Sequence, residues 1–278
     1  MIEVRGLHYA YDSRDTLRDV SFEVREGEIF GFLGPSGAGK STTQNVLTGL
    51  LDGYRGEVSV MGRALREWGR EYYRHIGVSF ELPNHYLKLS ARENLELFRA
   101  IYDAPKRAIE EVMGWVGLED HLDKRVGDYS KGMKNRLNVA RSLLHRPKLW
   151  FLDEPTSGLD PAAAANLRDL IRARRDEGMT VFVTTHDMVT ADELCDRVGF
   201  MVDGHIARVG VASELRREYG SRELLVTHGE GEARFGLDGL GEDQAFLELI
   251  RSKRITSMHS QESSLAEVFM AVTGKQLH

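Results

Sequence analysis

The sequence predicts an α/β fold: a parallel sheet flanked by helices, an antiparallel subdomain ahead of it, a helical insertion, and a small α+β domain at the end. Three features point there. First, an apolar run, Glu28-Ile29-Phe30-Gly31-Phe32-Leu33, enters a glycine-rich segment that opens into a helical stretch from Ser41 to Leu50. Second, two apolar runs at 148–153 and 179–184 read as buried strands around a helical stretch at 161–176. A strand–helix–strand order of this kind favours a parallel sheet. Third, from Ser90 to about Arg146 the apolar spacing becomes helical, which marks a helical subdomain inserted in the α/β core.

Residues 1–30 alternate apolar and polar through Ile2, Val4, Val20, Phe22 and Val24. Turn-like stretches at Tyr11-Asp12-Ser13 and Arg25-Glu26-Gly27 separate the runs, so a small antiparallel sheet precedes the glycine-rich loop. Short strands are expected at Glu57–Gly62 and His75–Phe80, the latter running into a loop at Pro83-Asn84. In the helical region Leu95, Phe98, Ile101 and Tyr102 share one face, and Ile109, Val112, Met113 and Val116 share another. Ser90 with Glu93 forms a capping-box pattern. Beyond Gly220 the pattern weakens. Glu223–Thr227 and Arg254–Met258 read as strands, and Asp243–Arg251 as a helix with Phe246, Leu249 and Ile250 on one side. Ser263–Val272 reads as an amphipathic helix with Leu265, Val268, Phe269 and Val272 inward. The expected division is a domain at 1–220, with its helical subdomain at about 90–146, and an accessory domain at 221–278.

Composition narrows the function. The 37 Lys and Arg are outnumbered by 43 Asp and Glu, for a net charge of −6, so no basic footprint argues for nucleic acid. Cys195 is the single cysteine, so no internal disulfide forms, which fits a reducing compartment. Met1-Ile2-Glu3-Val4-Arg5 lacks the apolar core of a signal peptide. No apolar stretch approaches the ~20 residues that span a bilayer. The longest, Leu149–Leu152, ends in two carboxylates. The chain is therefore expected to be soluble by itself, and work at a membrane requires another chain to supply the spanning part.

Gly34-Pro35-Ser36-Gly37-Ala38-Gly39-Lys40-Ser41-Thr42 has the form G-x-x-x-x-G-K-[ST], the phosphate loop of nucleoside triphosphatases. Its glycines let successive backbone N–H groups turn inward as an anion nest. Lys40 adds a cation for the outer phosphates, and the Ser41 hydroxyl suits a phosphate-held Mg²⁺. The helix that follows brings its positive end to the phosphates. Lys148–Pro155 is an apolar strand that delivers Asp153 and Glu154 at its carboxyl end, where such sheets place ligands. The first carboxylate suits the Mg²⁺ shell and the second a proton from attacking water. Alone, this pair reads equally well as a solvated acidic turn. Ser130, in Tyr129-Ser130-Lys131-Gly132-Met133, reads first as a plain helix cap, although a helix start is also an anion site.

In their order these parts resemble the ATP-binding cassette (ABC) family over about residues 1–220. Ser130-Lys131-Gly132-Met133 stands where the family signature sits, just upstream of the Asp153-Glu154 strand. Asp160, in Ser157-Gly158-Leu159-Asp160, matches the D-loop, and His186, in Thr184-Thr185-His186-Asp187, the switch histidine. Tyr11 stands where the family has an aromatic that stacks on adenine. The resemblance implies a RecA-like P-loop NTPase core with ATP and Mg²⁺ as its ligands. In it Gly34 to Thr42 cradle phosphates, Ser41 and Asp153 hold Mg²⁺, and Glu154, Lys40 and His186 serve catalysis. It also implies a pair of cassettes in which Ser130, Gly132 and Asp160 close over the other subunit's ATP.

Three positions depart from the family pattern. Lys131 and Met133 replace a glycine and a glutamine of the signature, giving a form common among exporter-like subunits. Lys131 either adds charge near a phosphate across the dimer or points to solvent. Glu81, in Ser79-Phe80-Glu81-Leu82-Pro83, stands where a glutamine is expected, and is assigned to the Mg²⁺ site and the nucleotide. The tail Ser263–Gly274 is similar to the ending of subunits that pair with separate permeases of the second exporter class. The expectation is an ATPase subunit on the cytoplasmic face of the cell membrane, powering export through separate transmembrane permease subunits, with a second ATP-binding subunit as partner. A permease element is expected near Pro83-Asn84-His85-Tyr86. An importer subunit, or a non-transport cassette ATPase, is the alternative.

Overall fold

The computed structural model describes residues 1–278 except 13, 103–105, 221–222, 230, 253–254, 261–262 and 276–278. Ser13 of the first expected turn and Arg254 of the last expected strand lie outside the described residues. The chain divides into two units, Met1–Val211 and Ala212–Gln276. The first unit runs β1 (Ile2–Tyr11), β2 (Arg14–Val24), β3 (Ile29–Leu33), α1 (Lys40–Leu47), β4 (Arg55–Val60), β5 (Arg63–Ala64) and β6 (Ile76–Ser79). It continues with α2 (Ala91–Ile101), α3 (Ile109–Trp115), α4 (Lys131–Leu143), β7 (Leu149–Asp153), α5 (Pro161–Asp176), β8 (Thr180–Thr185), α6 (Met188–Leu194), β9 (Arg197–Val202) and β10 (His205–Val211).

These strands make two sheets. One is antiparallel, in the order β2-β1-β4-β5. The other has the order β10-β9-β3-β8-β7-β6 and is parallel from β9 to β6, with β10 antiparallel at its edge. Strands β3, β7 and β8 are buried at every residue, because both faces of the sheet are covered. That is why they read as unbroken apolar runs, whereas β2 alternates. Phe22 of β2 stacks on Phe30 of β3 at 5.6 Å, and Phe30 on Phe182 of β8 at 5.9 Å. The two sheets thus share one aromatic core, each ring pair adding about 0.5–1.5 kcal/mol beyond its buried area. Trp150 of β7 is buried and donates to Ser142 Oγ of α4 at 2.8 Å, which ties the signature helix to the sheet.

The parallel register sets Leu33 beside Thr185 and Asp153 beside Thr184. The carboxyl ends of β3, β7 and β8 therefore align, and the loops that follow them open on one edge of the sheet.

The helices sharpen the expected boundaries. α1 stops at Leu47, because Thr48 closes its last turn and Gly49 takes φ +72°, which leaves Leu50 exposed. Ser90 and Glu93 make a full capping box at the start of α2. Ile109, Val112, Met113 and Val116 point inward as expected, but Ile101 is 73% exposed. The helix ends at Ile101, and the extended backbone of Tyr102 swings that ring, instead, onto His145 at 3.9 Å.

The second unit contains α7 (Ala212–Tyr219), β11 (Glu223–His228), β12 (Gly231–Gly236), α8 (Gln244–Arg251), β13 (Ile255–Ser260) and α9 (Leu265–Thr273). Its antiparallel sheet has the order β12-β11-β13. Phe235 meets Phe246 of α8 at 5.2 Å, and this narrow contact leaves Ile250 exposed, against the expectation of an inward face. Leu265, Val268 and Phe269 are buried, and Ser264 with Glu267 caps α9. Among the described residues no helix is long and apolar enough to cross a membrane.

Candidate nucleotide site

The chain leaves β3 at Leu33 and turns through Gly34–Gly39 into α1. Two glycines are needed for close approach. A Cβ on Gly34 would lie 2.1 Å from the Met201 carbonyl oxygen. Gly39, at φ +110°, has Leu17 and Met201 side-chain atoms within 2.8 Å of where a Cβ would sit. The Lys40 ammonium donates to the carbonyls of Gly34 at 2.6 Å and Pro35 at 3.1 Å. Burial lowers its pKa, while Glu154, Asp153 and Glu81 pull in the opposite direction. Ala38 is buried, its N–H directed to the Pro35 carbonyl at 3.2 Å.

Opposite the loop stand the paired carboxylates. Asp153 Oδ1 accepts from Thr184 Oγ1 and from Ser41 Oγ, the latter at 3.3 Å. Burial raises the pKa of Asp153, those two hydrogen bonds oppose the rise, and the charges of Glu154 and Glu81 add to it. Glu154 has φ +46°, and its N–H donates to the Thr184 carbonyl at 2.9 Å. Its Oε1 accepts from the His186 N–H at 3.0 Å and lies 2.7 Å from His186 Nδ1. Its Oε2 accepts from Thr185 Oγ1 at 2.9 Å. An ionised carboxylate only accepts, so this contact places a hydrogen on His186 Nδ1.

Beside these groups lies a cleft of about 810 Å³ whose walls include Tyr11, Ser36, Gly37, Gly39, Lys40, Ser41, Thr42, Glu81, Glu154 and His186, whereas Gly34, Pro35, Ala38 and the buried Asp153 are not among its wall residues. Tyr11 is 45% exposed and meets Tyr9 edge-on at 4.9 Å. The structure adds wall residues that motif reading had no means to find: Arg14, Asp15, Thr16 and Arg18 from β2, and Asp203 and Gly204 from the β9–β10 turn. They enter through pairing, since Arg14 is the cross-strand neighbour of Tyr11, and Gly204 donates to the Ala38 carbonyl at 2.9 Å. The alternating pattern of β2 was their only trace in the sequence.

Ser130, Gly132 and Asp160 are not among the residues of this wall and gather elsewhere. Ser130 caps α4 by accepting from Met133 N–H at 3.1 Å, and Asp160 caps α5 by accepting from Ala163 N–H at 2.9 Å. Asn135 Nδ2 donates to the Ser157 carbonyl at 3.0 Å and holds the two segments side by side. A Cβ on Gly132 would touch Leu159 at 3.5 Å. Lys131 is exposed, with its chain end laid across Gly158.

The donor set suits Mg²⁺. Ser41 Oγ and Asp153 Oδ1 are hard oxygen ligands 3.3 Å apart. Among the described residues no three His, Cys, Asp or Glu side chains converge as a metal site of their own.

Comparison with known proteins agrees with this geometry. The family model described as ABC transporter matches residues 17–157, and that described as fluoroquinolone efflux ABC transporter C-terminal domain matches residues 225–262. A fluoroquinolones export ATP-binding protein of Mycobacterium tuberculosis is 49% identical over 284 aligned residues, covering 100% of this chain and 94% of that protein. A solved ATP-binding subunit of an ABC transporter superposes with a TM-score of 0.72 at 31% identity, over 79% of this chain and 93% of the other. A dimeric, post-hydrolysis ATP-binding cassette bound to ADP and Pi superposes with a TM-score of 0.68 at 27% identity, over 76% of this chain and 99% of the other. Fold and site thus define a P-loop ATPase. The chain belongs to the ABC transporter family. It is an ATP-binding, ATP-hydrolysing subunit of the exporter kind, and the importer alternative is not favoured.

Proposed function

We propose that the chain is one of two ATP-binding subunits on the cytoplasmic face of a membrane, energising export of fluoroquinolone-like compounds through separate permease subunits. The compound class rests on the full-length similarity to a fluoroquinolones export subunit and on the matching C-terminal family. The site assignment rests above all on Glu154, a carboxylate held by three donors at the mouth of a cleft shared with the phosphate loop.

In this reading Tyr11 stacks on adenine, and the backbone of Gly34 to Thr42 cradles the phosphates. Lys40 exchanges the carbonyls of Gly34 and Pro35 for phosphate oxygens, whose charge offsets the burial that lowers its pKa. Ser41 and Asp153 hold Mg²⁺, with Glu81 beside them. Held by these residues, the ion would supply positive charge to offset that developing on the outer phosphates. Glu154 accepts a proton from the attacking water, and His186 turns its free Nε2 toward the γ-phosphate side. Ser130, Gly132 and Asp160, absent from the cleft of their own subunit, complete that of a second.

The Glu154→Gln variant tests this core. It should bind ATP normally, accumulate as a dimer in gel filtration with ATP, and lose turnover by about 10²–10⁴-fold, the usual worth of a positioned base. Full hydrolysis by that variant would refute the assigned base. Purification from detergent extracts tests the setting: a polytopic membrane protein should accompany the chain, and co-purifying ribosomes or DNA would instead indicate a non-transport cassette.

A further inference from the structure

Two threonines close β8, and each holds one of two adjacent carboxylates, Asp153 at the end of β7 and Glu154 just after it. Thr184 Oγ1 donates to Asp153, and Thr185 Oγ1 donates to Glu154 Oε2 at 2.9 Å. Thr185 is fully buried. Its oxygen also accepts the N–H of Asp187 at 3.0 Å, so the hydroxyl is pinned from both sides. His186, by contrast, lies on an exposed segment, with 55% of its side chain accessible.

Each oxygen of a carboxylate offers two lone pairs. Oε1 of Glu154 uses both on His186, one for the backbone N–H and one for Nδ1. Oε2 uses one on Thr185. We infer that Thr185 is a positioning residue for hydrolysis: its hydroxyl fixes the Glu154 carboxylate so that the one remaining lone pair, on Oε2, receives the proton of the attacking water. In that step the water oxygen bonds to the γ-phosphorus and the bond from that phosphorus to the β–γ bridging oxygen breaks. One water proton passes to Oε2, and the products are ADP and phosphate. Without the Thr185 hydroxyl, Glu154 is held only along its His186 edge, and its carboxylate pivots about a backbone already at φ +46°. The inference rests on the reading of Glu154 as the base.

The test compares Thr185→Val, Thr185→Ser and Thr185→Ala with Glu154→Gln in purified full-length protein, measuring kcat, KM, ATP affinity and melting temperature. Thr185→Val should lower kcat about 10–100-fold, the size of effect expected from a misplacement of about 1 Å. KM and ATP affinity should stay within about twofold, because the hydroxyl touches the base and not the nucleotide. Thr185→Ser should recover most of kcat. If Thr185→Val is unfolded, the ratio of kcat between the Ser and Ala variants, which share the loss of the methyl group, isolates the hydroxyl. A ratio near one, or an unimpaired and folded Thr185→Val, overturns the inference while an inactive Glu154→Gln leaves the base reading intact. An active Glu154→Gln removes both.

Discussion

At the scale of single residues, the nucleotide cleft is a problem of like charge. The pKa of Asp153 is raised, first by its burial and then by the charges of Glu154 and Glu81, and all three carboxylates act on Lys40. On the proposed placement of Glu81 beside Mg²⁺, a divalent cation would relieve this repulsion, and Glu81 would make the demand for one greater than a neutral glutamine would. Glu81→Gln should therefore raise the Mg²⁺ concentration for half-maximal hydrolysis by about thirtyfold, the equivalent of about 2 kcal/mol of lost attraction between a divalent cation and one carboxylate at a solvent-exposed distance of ~4 Å. An unchanged Mg²⁺ titration would remove Glu81 from the metal's surroundings. The glycines, the lysine and the carboxylate pair were legible because phosphate chemistry demands those residue types at fixed spacing. Thr185 was not, since a threonine in an apolar strand looks like any β-branched residue until its partner across the sheet is known.

At the scale of elements, α4 is the part through which the active segments meet. Asn138 Nδ2 donates to Ser79 Oγ at 3.1 Å and to the Phe80 carbonyl at 2.9 Å, just before Glu81. Arg141 donates to the Asn84 carbonyl at 2.7 Å, and His85 Nε2 sits 3.0 Å from the Lys134 carbonyl. His85 is thus turned inward and braces the loop against the helix. Burial is the main cause that pushes its pKa from the ordinary 6.5 down to about 4, and it also lowers that of His145. The folded state keeps His85 neutral, whereas the unfolded chain takes up a proton below its ordinary pKa. The stability from His85 is therefore complete above 6.5 and is lost as pH falls toward 4. Urea unfolding should show a loss of roughly 2 kcal/mol between about pH 7 and pH 5 from this group, and His85→Gln should flatten that part of the profile. A pH-independent midpoint would mean that His85 is not held neutral. Helices were legible wherever a cap and a long apolar face coincided, as in α2 and α9. They were misread at Ile101 and Ile250, where periodicity continues but the partner surface does not.

At the scale of the whole molecule, the loop after β6 presents Leu82, Tyr86 and Leu87 to solvent, at 78%, 60% and 53% exposure. Apolar side chains clustered on a loop that also carries Glu81 fit contact with a permease. Replacing Leu82 and Leu87 by Asp should abolish co-purification of the membrane partner, with the ATPase rate of the isolated subunit kept within about twofold, since exposed positions contribute little to folding. Retained partner binding would move the docking site elsewhere.

The amino-acid sequence by itself determined the class of the protein, its ATP chemistry and the order of its parts. Those depend on local demands: a loop that must bend into an anion nest, a strand that must end in carboxylates, and helices that must begin with caps. Only the tertiary structure decided which hydroxyls hold those carboxylates and which residues of β2 join the cleft wall. Such contacts join residues far apart in the chain, as Thr185 joins Glu154 across neighbouring strands, and they follow from sheet register and packing, to which spacing along a single chain is blind.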